Sequence, residues 1–401
     1  MAGRQADTTY DVIVVGMGPA GAITAAELSR GGLAVLGFDK EAHPRYKVCG
    51  GGLSARIDQV LGPGFQSVVE HTINGVQFVY CGQEPLLIES PLPIAYMVMR
   101  DRFDHYLVQQ AMQAGAEIRN GEGVIGVCQG PDYAEVVTQQ GRYRAKIVIG
   151  ADGANSVVSR HLFPDRSQCR CPALESEILI GDGQHFPGPT TILVDVGAAR
   201  QGYGWIFPKQ GRLSVGVGEF RHKSPSIRTT FDRFIRGVQG LTGSTVPRPT
   251  GHPIPAFSDN GPGRRESVSQ FVNGRALLVG DAGHLVDPLF GEGIYYAVRS
   301  GQLAARAILA NVHDYQASLA AYEAALDRNI VPDFRVTARM ARVIYAFPRL
   351  GFKLLRRYQD VVQSYYEVLQ GRTTADQFLV NAKKRLKASV NDLLLEALHL
   401  R

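Results

Sequence analysis

Cys49 is followed by Gly50, Gly51 and Gly52 and preceded by Pro44, Arg45 and Tyr46. Three consecutive glycines strip one stretch of backbone of its side chains, so a flat ring can lie directly against it with a thiol alongside. Such a segment costs roughly 0.5–1 kcal/mol per glycine relative to alanine in regular structure. A bound group that orders the loop offsets this cost; without one, the same residues are an ordinary flexible loop. Further along, Tyr203, Trp205 and Phe207 alternate in G-Y-G-W-I-F-P, so in a strand all three rings point to one face. They amount to about 450–750 Å² of apolar wall if fully covered, facing either a ligand or the core. Pro208 is expected to end that strand, and Gly216-x-Gly218 falls on the next. Two acids, Asp39 and Asp281, each close a short apolar run.

The elements that must hold these groups are legible around them. Asp11–Val15 is an apolar, β-branched run that reads as a buried parallel strand. Gly16, Gly18 and Gly21 follow at once, then an alanine-rich helix with Ile23, Ala25 and Leu28 on one face, then a second apolar strand from Leu33 to Phe38 that ends at Asp39. Strand, glycine turn, helix, strand and terminal acid, in that order, form the dinucleotide fingerprint. Gly16 permits the tight turn, Gly18 lets backbone approach a pyrophosphate, Gly21 lets helix and strand pack closely, and the helix N-terminus offers N–H groups to phosphate. Asp39 lies 18 residues beyond Gly21, where a carboxylate can accept ribose hydroxyls.

Two later segments have the same strand-to-glycine form. K-I-V-I-G-A-D-G-A-N-S-V-V-S-R runs a strand into Asp152-Gly153, and R-A-L-L-V-G-D-A-G-H-L-V-D-P-L-F-G-E-G ends a strand at Gly280-Asp281 before Pro288, Gly291 and Gly293 open a helix. With the first fingerprint, these segments resemble the FAD-binding motifs of flavoproteins built like para-hydroxybenzoate hydroxylase. The resemblance implies a discontinuous FAD site contacted by Gly16, Gly18, Ala20 and Gly21 at the first turn and by Asp39 and Lys40 at the second strand. It also implies contacts from Cys49, Gly50 and Gly51 at the ring, Arg100 at the start of a helix, backbone near Val124 at the adenine, and Asp281, Pro288, Gly291, Gly293 and Ile294 at the ribityl and pyrimidine end.

Composition agrees with such a protein and narrows its class. The chain has 401 residues, 45% of them hydrophobic, enough for a large core. No stretch of 18 uncharged apolar residues is present, so no transmembrane helix is expected. The N-terminal M-A-G-R-Q-A-D-T-T is short and polar with no apolar signal region. Five cysteines (49, 81, 128, 169 and 171) form no C-x-x-C pair, which favours a reducing, cytoplasmic compartment without a disulfide framework. Cys169 and Cys171 lie one residue apart without nearby histidines, so no metal is expected. His284 in G-D-A-G-H-L could reach a ring bound there, but reads first as a structural histidine. The formal charge of +6 is concentrated in the tail, where residues 328–401 carry 14 Lys/Arg against 6 Asp/Glu. There Arg335, Arg339 and Arg342 oppose Met340, Val343, Ile344 and Phe347. After Pro348, Arg349, Lys353, Arg356 and Arg357 oppose Leu350, Leu354, Leu355 and Tyr358. Basic amphipathic helices of this kind can lie on an anionic bilayer or cap the sheet domain with their arginines solvated. No nucleic-acid partner is expected, because no basic stretch accompanies a reader fold.

The expected fold class is α/β. A Rossmann-like FAD-binding domain is assembled from residues 1–66, 99–165 and 269–305. A β-rich substrate domain comes from 67–98 and 166–268, whose short β-rich runs are separated by Gly and Pro. Residues 306–401 form a C-terminal basic helical region. Y-x-W-x-F-P with its G-x-G, together with P-x-Y-x-x-C-G-G, resembles the geranylgeranyl reductase family. The matching residues are Pro44, Tyr46, Cys49, Gly50 and Gly51, then Tyr203, Trp205, Phe207, Pro208, Gly216 and Gly218. That resemblance implies an FAD-dependent reductase that saturates C=C bonds of a long isoprenoid carried by a lipid, quinone, pigment or diphosphate. The electrons would come from NADPH or reduced ferredoxin, and the C-terminal helices would attach peripherally to a membrane. Tyr203, Trp205, Phe207 and Pro208 would line the substrate, and Cys49 or Tyr203 would deliver the proton. The alternatives are a flavin-dependent monooxygenase or halogenase, and a non-catalytic flavoprotein that binds isoprenoid lipid.

Overall fold

The structure is a computed structural model that describes residues 9–164, 170–181, 186–220, 227–238, 245–258 and 271–385. Cys169, the charged tail beyond residue 385 and the first eight residues lie outside them. The fold is α/β, built on two large sheets and a small one.

The first large sheet has eight strands. Its parallel centre runs Ala276–Leu278, Arg142–Gly150, Thr9–Val15, Val35–Asp39 and Glu117–Asn120, with the Val124–Gln129 and Ala134–Thr138 hairpin added antiparallel to Arg142–Gly150. Val12 to Val15 are all buried because both faces are covered, Val12 and Val14 by helices and Ile13 and Val15 by the Val124–Gln129 and Ala134–Thr138 hairpin with Val158 and Leu162, which is why this segment reads as a continuous apolar run rather than an alternation. The Pro19–Arg30 helix lies directly on the turn: a Cβ at Gly21 would overlap the Gly16 carbonyl oxygen and stand 3.1 Å from Ala151 Cβ. Gly16 itself has φ +94°, a conformation glycine reaches without steric cost.

The second sheet has seven strands, ordered Thr250–Ile254, Cys171–Leu179, Arg212–Glu219, Gly202–Lys209, Thr191–Asp195, Gly75–Tyr80 and Gln83–Glu89. One face packs Ile206, Leu213, Val215 and Val217 against Phe231 and Phe234 of the Ile227–Gly237 helix. The other face carries the three rings. Pro208 does not end its strand, which continues to Lys209 opposite Arg212. Pairing with Thr191–Asp195 on the other side stops at Ile206, so the proline interrupts no ladder bond there. A three-stranded sheet of Gly52–Ser54, Ala95–Val98 and Val69–Ile73 pins the end of the glycine segment, with Gly52 opposite Met97.

The C-terminal helices are integrated into the core. In the Tyr315–Asn329 helix, Leu319, Tyr322 and Leu326 join the main core cluster, and the buried Tyr322 hydroxyl donates to the Leu278 carbonyl (2.8 Å). Val331–Ala346, Pro348–Arg357 and Gln359–Leu369 follow. Phe352, Val362 and Tyr366 cap the seven-stranded sheet, the Tyr366 hydroxyl donating to the Ile88 carbonyl (3.0 Å). The capping is partial: Val343, Phe347, Leu350 and Leu354 stay exposed, Val343 and Phe347 above 60%. Among the described residues no helix is long and apolar enough to cross a membrane, and no cluster of three or more His, Cys, Asp or Glu could hold a metal ion.

Candidate functional site

The nucleotide end is built from the first turn. Gly18 caps the Pro19–Arg30 helix with no side-chain hydrogen bond, and a Cβ at Gly18 would meet only Arg45 Nη2, at 3.9 Å. Arg45 Nη1 binds Asp104 Oδ2 at 3.0 Å, and Arg100, first residue of the Arg100–Gln113 helix, grips the same carboxylate with two bonds of 2.8 Å. The fully buried Asp104 thus holds two guanidinium groups, one of them bordering an uncapped helix N-terminus, which suits a pyrophosphate. At the second strand, Asp39 accepts the backbone N–H groups of Met17 (2.9 Å) and Glu41 (3.0 Å) and faces His43 Nε2 at 3.3 Å. Burial works to raise its pKa, but His43, these N–H groups and the charge of Arg45 win, and Asp39 sits below the usual carboxylate range. It is therefore ionised, with lone pairs remaining for ribose hydroxyls. Lys40 is exposed beside it, and Gly123, which precedes Val124, approaches Lys40: a Cβ there would lie 3.4 Å from that of Lys40.

The opposite end is set by the Gly280–Gly283 turn and the Ile294–Ala310 helix. That helix is capped by Gly293 without a side-chain bond, and Asp281 Oδ1 lies 3.4 Å from where a Gly293 Cβ would be. Burial raises the Asp281 pKa against the opposing charges of Lys47 and Arg100. Lys47 Nζ donates to His252 Nε2 from the edge strand of the other sheet. Burial, with Arg100 nearby, lowers the Lys47 pKa to about 8, and burial with Lys47 lowers that of His252 to about 3. His252 is thus a neutral acceptor at physiological pH. His284, buried and in the left-handed region at φ +48°, ends the 280–283 turn.

Between these ends, the glycine segment and the aromatic strand close on each other. A Cβ at Gly50 would stand 3.0 Å from Phe207 Cδ2 and 3.3 Å from Trp205 Nε1, and one at Gly51 would stand 2.6 Å from Lys209 Nζ. On these faces, therefore, the glycines make room for the protein's own rings and lysine. Tyr203, Trp205 and Phe207 share one sheet face with centroid spacings of 6.0 and 6.3 Å. Opposite them in register stand Gly218, Gly216 and Ser214. The indole lies over the glycine positions: a Cβ at Gly216 would overlap Trp205 Cζ2, and one at Gly218 would be 3.6 Å from Cζ3. G-x-G is thus the seat of the tryptophan. The row continues through Phe220, stacked on Tyr203 at 5.9 Å, to Tyr345 of the Val331–Ala346 helix, stacked on Phe220 at 5.5 Å. The Tyr203 hydroxyl donates to the Phe290 carbonyl, and the Tyr345 hydroxyl to that of Leu289, in the loop between Pro288 and Gly293.

Cys49 is half-buried at the head of this closure; its Sγ accepts the Gly51 N–H (3.4 Å) and lies within electrostatic reach of Arg100. The Tyr203 pKa is driven up by burial and then by the negative charge of Asp287, and its proton is already given to Phe290. Of the two acids considered, Cys49 is the less committed. Sequence reasoning missed Arg45 beside the first glycine turn, the Lys47–His252 contact, and Glu175, a carboxyl 3% exposed on the ring-bearing face. Arg45 was visible inside the cysteine motif. The other two required the strand register.

Two uncapped helix N-termini, paired arginines and a carboxylate at each end fit FAD, and when bound it would supply hydride chemistry at the ring. Fold and site together define a flavoprotein oxidoreductase, and the FAD binding domain family matches residues 9–328. Digeranylgeranylglycerophospholipid reductase 1 of Methanopyrus kandleri is 30% identical over 387 residues, covering 90% of this chain and 96% of the relative. A crystal structure from Thermoplasma acidophilum, described as geranylgeranyl bacteriochlorophyll reductase-like, superposes with a TM-score of 0.68 at 25% identity over 83% of this chain and 88% of that one. A flavin-dependent brominase shares the fold, with a TM-score of 0.72 at 20% identity, covering 95% of this chain and all of that one. This chain belongs to the geranylgeranyl reductase family of FAD-dependent oxidoreductases.

Proposed function

We propose that this enzyme saturates C=C bonds of a long geranylgeranyl-type isoprenoid by hydride transfer from reduced FAD and protonation of the other alkene carbon. The observation that carries the reading is the continuous row Phe207, Trp205, Tyr203, Phe220 and Tyr345, with Cys49 at its head. An isolated alkene is poorly polarised, so a hydride reaches it only with a proton supplied at the other carbon and water kept away. An apolar wall suits both requirements, with Tyr203, Trp205 and Phe207 holding the chain flat and Cys49 as the proton donor. Pro208, expected from the sequence to join them, pairs with Leu213 and so lies on the opposite sheet face. NADPH or reduced ferredoxin reduces the flavin.

The seven-stranded sheet serves as the substrate domain. Exposed Val343, Phe347, Leu350 and Leu354, close to Arg342, Arg349 and Lys353, support docking on an anionic membrane in which the substrate is dissolved. The test is anaerobic single turnover: protein reduced beforehand is mixed with geranylgeraniol-bearing lipid. Reoxidised flavin with a product gaining two hydrogens per double bond supports the reading. Absence of turnover would leave a lipid-binding flavoprotein.

A further inference from the structure

Resting on that reading of the site, we propose that Glu175 is the proton-holding residue behind Cys49, keeping the thiol protonated and refilling it after each turnover. Glu175 stands on the Cys171–Leu179 strand directly opposite Gly216, in the same cross-strand row as Trp205. It therefore faces the reaction side of the sheet. Its Oε1 is buried without a hydrogen-bond partner among the described residues. The carboxyl lies in reach of the Ser214 hydroxyl and the Cys49 backbone N–H. Ser214 Oγ in turn accepts the Trp205 indole N–H (3.4 Å), which leaves the hydroxyl proton directed elsewhere. The carboxyl is thus tied to both the ring wall and the cysteine loop.

Its neighbours poise it between charge states. Burial, then the negative charge of Glu177, push its pKa up to about 7 against Lys209, Ser214 and Cys49. Glu177 itself is tied to Arg212 at 2.8 Å. Lys209 is 2% exposed and donates to the Val98 carbonyl (2.9 Å). In the loop above, half-exposed Tyr46 has its pKa raised by partial desolvation and by the charges of Glu175 and Glu177. On the edge strand, His252 stays neutral, while Lys47, with Arg100 and Asp281 behind it, titrates near 8. In the proton step, the Cys49 S–H bond breaks as the C–H bond forms, leaving a thiolate. The Glu175 O–H bond then breaks as S–H re-forms, leaving a carboxylate that solvent reprotonates. The balancing hydride is that of reduced FAD. Glu175 acts through Cys49 and is a positioning residue.

The test uses the FAD-loaded enzyme without isoprenoid or turnover. Trp205 is the chain's sole tryptophan, so its emission reports the row directly. Between pH 5.5 and 8.5 the wild type should show a transition centred near 7 that vanishes in Glu175→Gln; a step near 8 that survives belongs to Lys47. Alkylation of Cys49 by iodoacetamide, read by peptide mass to separate it from exposed Cys81 and Cys128, should be about tenfold faster at pH 8 in Glu175→Gln. The negative charge that disfavours the reactive thiolate has then been removed. A wild type without the emission transition overturns the assignment even if the variant fails to fold. An alkylation rate within twofold of wild type in a folded variant also overturns it. Failure to reduce an alkene in a protein that passes both tests would refute the proposed reaction and leave Glu175's role standing.

Discussion

Gly216→Ala tests whether the indole of Trp205 is seated on the sheet. The added Cβ would overlap Trp205 Cζ2 and lie 2.6 Å from Cε2 and 2.7 Å from the Leu174 carbonyl oxygen. Carbon atoms in comfortable contact stand about 3.5–4.0 Å apart, so the ring must lift by roughly an ångström. It cannot do so freely, because Gly50, Tyr203 and Phe207 border it and the Leu174 carbonyl belongs to a paired strand. Overpacking of this kind costs about 1–3 kcal/mol. Urea unfolding followed by Trp205 emission should show that loss, and the native emission should shift with the ring. Trp205→Phe removes the atoms that clash, so the double variant, unfolded in urea and followed with the single variants by circular dichroism, should be more stable than the summed single losses by about 1 kcal/mol. FAD content should stay normal while the half-saturating isoprenoid concentration rises. If Gly216→Ala has wild-type stability, emission and substrate dependence, the indole is not seated on Gly216.

Cys49→Ala should keep FAD bound yet slow reoxidation of reduced flavin by the alkene by on the order of 10²-fold, the usual worth of a positioned acid; stopped-flow absorbance decides, and an unchanged rate would make Cys49 mere packing. Asp281→Ala should weaken FAD retention by roughly 1.5–3 kcal/mol through loss of a charged hydrogen bond. The same change should raise the melting temperature of the FAD-free protein, because a buried group whose pKa burial has raised is gone. Stability should also depend on Glu175. Its folded pKa of about 7 lies above the ordinary value of 4.5, so its contribution is full below about pH 4.5 and is lost as pH rises through 7. The difference is worth about 3 kcal/mol, and denaturant titrations should find Glu175→Gln more stable than wild type at pH 8 but not at pH 5. Phe347→Asp, on an exposed position, should leave melting unchanged and reduce co-sedimentation with anionic vesicles.

What could be read from residues alone was whatever is local in the chain. The Gly16–Gly21 turn, Asp39 at its strand end and the same-face rings depend on spacings of a few residues, and the periods of helix and strand suffice to place them. Groups that meet across the fold were not legible. Arg45 and Asp104 are 59 residues apart and Lys47 and His252 are 205 apart, and nothing in either local pattern points to the other. Glu175 alternates with Glu177 in A-L-E-S-E-I-L, which reads as a solvated strand face until the register sets it beside Trp205. Pro208 misled for a related reason: whether a proline ends a strand depends on which neighbour would have used its N–H. The tail was half-legible. Its helices and charges were evident, but the burial of Tyr322 and Tyr366 was not, since an amphipathic face does not say what covers it.

The reaction proposed for this site is delivery of hydride and proton to an isoprenoid alkene. The most direct measurement is rapid mixing of the reduced FAD enzyme with a geranylgeranyl lipid under strict anaerobiosis, with flavin absorbance and product mass followed together. Flavin reoxidation in step with a gain of two hydrogens per double bond is the outcome expected. Flavin that stays reduced until oxygen is admitted, with an oxygenated or halogenated product appearing only then, would contradict it.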